Sequence, residues 1–154
     1  MPSRTERESQ VAALPMRRDD RGRLRVMLVT SRETGRWVAP KGWPMDGLKP
    51  WRAAAIEALE EAGAEGAVER EPLGTYDYDK RLSDGSLLPC RVTLYPLHVE
   101  ELRDRWKERA ERKRRWFDPA EAATLVDEPQ LSAILDGLAG KAAKAKRTKG
   151  KEAA

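Results

Sequence analysis

The stretch PKGWPMDGLKPWRAAAIEALEEAGA, residues 40–64, decides how this chain is read. Its first part is a Gly/Pro-rich loop, and from Trp51 to Ala62 it contains no helix breaker. Pro50 suits the first helical position, where a missing N–H is harmless, and Gly63 suits the position just past the end. A helix is therefore expected here, with Trp51, Ala55, Ala58, Leu59 and Ala62 as its apolar face and the acids opposite. Glu57, Glu60 and Glu61 fall within an arc of about 100° at its last turn. Like charges at i,i+3 and i,i+4 repel by roughly 0.2–0.5 kcal/mol per pair. Carboxylates at a helix C-terminus also oppose the macrodipole. One turn earlier stand Ala53 and Ala54, so no cation on the helix relieves them. The triplet makes sense if something positive arrives from outside, and the two alanines leave room for its approach.

Working outward, residues 1–9 read as a disordered N-terminus, and 10–18 and 23–31 as strands joined by the turn DDRG. A short strand RWVA (36–39) precedes the loop. Segments 76–82 and 87–97 resemble a hairpin around SDGS. Residues 101–109 pass for a charged helix, and RKRRWFD (112–118) for a strand. DPAE at 118–121 has the pattern of a capping box with Pro at the first helical position. A last helix is expected from Pro129 to Ala139. Strands and helices mixed in this way imply a sheet covered by helices on both faces.

With 154 residues, 40% hydrophobic and 36% charged, the chain suits one domain, placed at 10–140, with one core and a heavily charged surface. No run of 18 apolar residues marks a membrane span, and the N-terminus lacks the apolar segment of a signal peptide. A single cysteine cannot form an internal disulfide, which points to a reducing, cytoplasmic setting. The net charge of +4 is unevenly spread: residues 141–154 carry +5, leaving about −1 for the rest. That segment reads as a basic, solubilising, disordered tail, or as a weak contact for nucleic acid.

Several chemistries are excluded. In GWPMDGLK, Leu48 stands where a phosphate-cradling loop needs lysine. One histidine and one cysteine cannot build a zinc cluster. Cys90 and His98 lie at opposite ends of one expected strand, roughly 26 Å apart, and are read as packing residues. Carboxylates remain. Clustered oxygen ligands suit Mg²⁺ or Mn²⁺, and such a metal usually works on phosphates. Three glutamates on a helix, taken alone, are nevertheless most often a solvated face.

The whole unit 40–64 resembles the Nudix box, G-x5-E-x7-R-E-U-x-E-E-x-G-U, a loop–helix–loop that binds metal and diphosphate. Gly42 matches its first glycine, Glu57, Glu60 and Glu61 its three acids, and Gly63 its closing glycine. The preceding RWVAPKG and the later RRWF are also similar to this family, and the resemblance spans roughly residues 10–138. It implies the Nudix fold, an α+β mixed sheet sandwiched between α-helices. Leu48 and Ile56 depart from the pattern, standing where the family has its first glutamate and its arginine. An ion pair can be exchanged for apolar residues without loss, so Leu48 is expected to pack on Ile56 and brace the loop.

The resemblance further implies hydrolysis of a nucleoside diphosphate linked to X or a related pyrophosphate, by a monomer or homodimer. It makes Glu57 and Glu61 metal ligands, Glu60 a further ligand or the base, and the Gly42 carbonyl an additional ligand for Mg²⁺ or Mn²⁺. Asp46 is a lesser candidate. Arg32, Arg36, Lys41, Arg91 and Lys113 are expected to bind the phosphorylated substrate, and Tyr76, Tyr78, Trp37 or Trp43 either to stack on a base or to pack in the core. The segment TSRETGRWVAPKG is similar to the diphosphoinositol polyphosphate and diadenosine polyphosphate branch. Competing expectations are an ADP-ribose or nucleotide-sugar pyrophosphatase, and a non-catalytic binding module.

Overall fold

The structure, a computed structural model, describes residues 6–153, with side chains of the last helix described to Ala142. Strand β1 (Glu8–Arg18) is buried along Val11–Met16 because it lies in the middle of the sheet. It runs parallel to β7 (Leu87–Leu102) from Glu8 opposite Cys90 to Met16 opposite His98. Its other edge is shared. β2 (Leu24–Thr30) pairs with it antiparallel from Met16 to Arg18, and β4 (Lys41–Gly42) pairs at Val11 and Ala12. β2 also carries β3 (Trp37–Val38) and β8 (Arg114–Phe117). The far edge of β7 carries β6 (Gly74–Arg81) and β5 (Ala64–Val68).

Alternation along the strands builds two core layers. Ala12, Leu14, Val26, Leu28, Val92 and Leu94 face Leu131 and Leu135 of α3 (Pro129–Ala153) and Ala122 of α2 (Pro119–Leu125). Val11, Ala13, Met27, Val29, Tyr95 and Leu97 face α1 (Pro50–Ala62). The sheet is thus covered on both faces, as expected. α1 meets it through Ala53, Ala54, Ala58 and Ala62, all fully buried. These small side chains let the helix sit close to the sheet.

Six local expectations need correction. Glu8 and Ser9 belong to β1, because they pair with Cys90 and Arg91; residues 1–5 lie outside the described residues. The helix expected at 101–109 does not form. β7 continues to Leu102, which pairs with Ala64, and 103–113 is a series of turns, so cross-strand pairing has overridden helix propensity. Ala53 and Ala54 are packing residues and leave no open approach, while Trp51, Ala55 and Leu59 are only partly buried. Asp118 makes no capping bond in α2, because its carboxylate accepts from Arg25 at 2.9 Å. His98 is exposed beside Glu69 at 3.3 Å, whereas Cys90 is buried as a packing residue. α3 runs past Ala139 to Ala153, and the basic disordered tail expected at 141–154 falls on a segment whose side chains lie, from residue 143 on, outside the described residues.

Candidate active site

Pairing of β4 with β1 fixes Lys41 and Gly42 beside α1. A side chain on Gly42 would collide with the Glu57 carboxylate, so the glycine makes the room in which Glu57 stands. Glu61, one turn later, is 5% exposed and accepts the Lys41 main-chain N–H at 3.3 Å. The buried arc of α1 therefore includes Glu61 and brackets Glu57, where the sequence placed acids and apolar residues on opposite sides. Glu57, Glu61 and Gly42 line a pocket of about 240 Å³ together with Gln10, Arg32, Lys41, Trp43, Tyr78, Lys80, Glu108 and Arg112. Glu60 does not line it. Its carboxylate turns outward to Lys107 at 3.6 Å.

The cations anticipated from outside the helix are side chains of this chain. Arg112, with a side chain 10% exposed, donates from Nε to Glu108 at 2.8 Å and from Nη1 to the Thr30 carbonyl at 3.0 Å. Its Nη2 lies 3.7 Å from the Glu61 carboxylate. Burial raises the Glu61 pKa, while Arg112 and Lys41 oppose the rise. The Glu57 carboxyl is pushed up to about 8, mainly by burial and then by the charge of Glu61 beside it. Burial also lowers the pKa of Lys41, against the attraction of Glu61 and Glu128. Its ammonium lies 5.0 Å from the centre of the Tyr78 ring.

The loop between Gly42 and α1 leaves the expected apolar pair at the surface. Leu48 is 43% exposed, Ile56 is partly exposed, and neither is among the residues packed on either core layer. Met45 packs there instead, and its carbonyl accepts the Leu48 N–H at 3.1 Å. Asp46 is exposed outside the pocket.

Next to the acid pocket, and sharing Arg32, Lys41, Tyr78, Lys80 and Arg112 with it, lies a basin of about 580 Å³. Arg36 and Arg81 raise its cations to six, against Glu33, Asp79 and Asp127. Of the expected substrate residues, Arg32 and Lys41 line both cavities. Arg36 lines only the basin, with its guanidinium held by the buried Glu128 at 3.1 Å. Arg91 and Lys113 line neither. Arg91 is committed to its cross-strand neighbour Asp77 at 2.8 Å. In the strand expected at 112–118 Arg112 shares parity with Trp116, which packs on the α1 side, and its guanidinium does reach Glu61 although the strand itself begins only at Arg114. That parity was the available signal for Arg112. Lys80, Arg81 and Glu108 carried no comparable mark. Among the aromatics, Tyr76 and Trp37 belong to the core, while Tyr78 and Trp43 reach the pocket.

The NUDIX domain model matches residues 7–136. The chain belongs to the Nudix family. It is similar to Nudix hydrolase 12, mitochondrial, of Arabidopsis thaliana, 36% identical over 106 residues, 67% of this chain and 52% of that one. Diphosphoinositol polyphosphate phosphohydrolase 3-beta of Homo sapiens is 33% identical over 104 residues, 66% of this chain and 59% of the relative. The matches thus span little more than half of either relative's length. A C. elegans Ap4A hydrolase, solved as a binary complex, shares the fold with a TM-score of 0.64 at 18% identity, covering 89% of this chain and 98% of its own.

Among the described residues no three Asp, Glu, His or Cys side chains already enclose a cation position. The donor set of the Nudix pocket nonetheless fits a hard divalent cation. It offers only oxygen ligands, and burial, followed by the charge of the neighbouring Glu61, pushes the Glu57 carboxyl up to about 8, so that its surroundings favour the bound proton. A cation can replace that proton. Among the described residues no helix is long and apolar enough to cross a membrane.

Proposed function

We propose that this chain is a metal-dependent Nudix hydrolase cleaving a pyrophosphate linkage in a small, highly phosphorylated substrate. The observation that carries this reading is the shared wall between the acid pocket and the six-cation basin. Glu57 and Glu61, with the Gly42 carbonyl, would hold Mg²⁺ or Mn²⁺. The metal, when bound, would supply positive charge for the phosphoryl oxygens as water attacks phosphorus. Arg32, Lys41, Lys80 and Arg81 bind and orient the flanking phosphates. Arg112 keeps Glu108 and Glu61 apart and donates toward the reacting centre. The proton of the attacking water goes to a carboxylate of the pocket; Glu108 lines it and Glu60 does not.

The density of cations favours a polyphosphate-rich substrate over a simple dinucleotide. Diadenosine polyphosphates and diphosphoinositol polyphosphates are preferred, in keeping with the names of two of the proteins it resembles. ADP-ribose and nucleotide sugars, with two phosphates, would leave much of the basin unmatched. A setting in a reducing compartment such as the cytosol is supported by Cys90, the sole cysteine, being buried and free.

The test is product release from a panel of these compounds and dNTPs with Mg²⁺ or Mn²⁺, comparing wild type with Glu61→Gln and Glu60→Gln. Turnover should require metal, fall about 100-fold or more in Glu61→Gln, and change less than about tenfold in Glu60→Gln. Binding without turnover across the panel would replace the hydrolase reading with that of a binding module.

A further inference from the structure

The last turn of α1 presents its carbonyls to a single segment. Glu108 N–H donates to the Glu60 carbonyl at 3.0 Å, and Arg103 N–H to that of Gly63 at 2.9 Å. Between them, Trp106 Nε1–H donates to the Glu61 carbonyl at 3.0 Å, and Arg114 Nη1–H to that of Ala62 at 2.9 Å. Four consecutive carbonyls, which a helix end leaves without internal partners, are thus each met by a donor from residues 103–114. The Arg114 guanidinium lies 3.9 Å over the Trp106 ring. Gly63, left-handed at φ 64°, brings the chain so close that a Cβ there would stand 3.0 Å from that ring.

Two residues past Trp106, the same segment delivers Glu108 to the acid pocket, and four further on it delivers Arg112. Glu61 is consequently held at both ends. Trp106 fixes its main-chain carbonyl, while Lys41 N–H and Arg112 face its carboxylate. This is the turn that like-charge repulsion and the macrodipole disfavour, so its geometry depends on external donors. We infer that Trp106, backed by Arg114, is a positioning residue for the pocket, an indole clasp that holds Glu61 in the register in which it receives a divalent cation, with Glu108 set beside it. The inference rests on the metal-dependent reading given above. Trp106 lines neither cavity and acts only through the residues it holds.

The probe is Mn²⁺ alone, titrated into the full chain and followed by the electron paramagnetic resonance signal of the free ion. Trp106→Phe keeps a ring for Arg114 and Gly63 but removes the N–H donor. It should weaken Mn²⁺ binding about 10-fold or more, the loss typical when a residue that orients a metal ligand is removed. The Mn²⁺ concentration for half-maximal turnover should shift by the same factor. Ile134→Val, a core change on the opposite face of the sheet, lowers the melting temperature without touching the clasp. It should leave Mn²⁺ affinity unchanged, which separates positioning from general loosening. Arg114→Lys removes the planar stack and the fork donor, should weaken Mn²⁺ in the same direction, and decides the matter if Trp106→Phe does not fold. Folded Trp106→Phe with wild-type Mn²⁺ affinity overturns the inference alone. Wild type that binds no Mn²⁺ overturns the metal-dependent reading and this inference with it.

Discussion

The carboxylate of Glu57 occupies the volume that a side chain on Gly42 would need. Two positions fifteen residues apart in the sequence are thereby made complementary, one by having no side chain and the other by having a charged one. Gly42→Ala should force Glu57 off its position or push β4 away from α1. Overpacking of this kind costs about 1–3 kcal/mol, so the variant should fold. Turnover at moderate metal concentration should fall about 100-fold, by analogy with misplacement of a reacting group by about 1 Å. A steady-state assay beside a melting curve checks this. Wild-type turnover in folded Gly42→Ala would mean that the contact has no part in the site.

Glu57 also fixes a pH dependence. Its folded pKa of about 8 stands above the ordinary 4.5. Between those values the folded chain keeps a proton that the unfolded chain has lost. Its stabilising contribution is therefore complete below about pH 4.5 and is lost as pH rises through about 8. Metal-free protein should lose stability from about pH 5 to pH 8, by at most about 1.4 kcal/mol per pH unit for this one proton, and level off above that. Saturating Mg²⁺ should flatten the profile, because the cation replaces the proton, and Glu57→Gln should make it shallower without metal, with the contribution of Glu61 remaining. Asp77, held below its ordinary value by Arg91, acts in the opposite sense and only at acid pH, whereas Glu61, raised by burial, adds to the loss and Lys41, lowered by burial, opposes it at the alkaline end. Melting curves across the range decide the point. A metal-free melting temperature that climbs between about pH 5 and pH 8 would contradict the assignment.

The sequence disclosed what is local and periodic, and concealed what depends on partners far along the chain. Pro50 and Gly63 mark the ends of α1 because their backbone constraints act within one residue. The covering of the sheet on both faces follows from strand and helix order. The direction in which α1 packs was misread, because a buried carboxylate looks the same in sequence as a solvated one. Glu61 is buried only because Lys41 and Arg112, twenty residues before it and fifty-one after, arrive beside it. The helix expected at 101–109 had the right composition, but its first residues were claimed by pairing with Ala64 and Glu65. The turns that replaced it supply Trp106 and Glu108, which no spacing rule could place. Leu48 and Ile56 were expected to brace the loop because their family counterparts do, and both lie outside the two core layers, Leu48 being 43% exposed.

A final consequence concerns the floor of the basin. Arg36 donates to both oxygens of Glu128, at 3.3 and 3.1 Å, and Glu128 is 4% exposed. Arg36→Met would strand a buried carboxylate, which costs about 3–5 kcal/mol. Glu128→Gln should cost less, about 1–2 kcal/mol, because Arg36 is 31% exposed and retains Asp127 at 3.6 Å. In the double variant the two losses should not add, leaving a coupling of about 1–3 kcal/mol. Urea unfolding with a constant denaturant slope measures all three. Because the Arg36 guanidinium is committed to Glu128, its removal should raise the substrate KM less than Arg32→Ala does, once both proteins are assayed well below their unfolding transitions. Additive losses together with a larger KM effect at Arg36 would show instead that this arginine serves the substrate directly and that its bond to Glu128 is incidental.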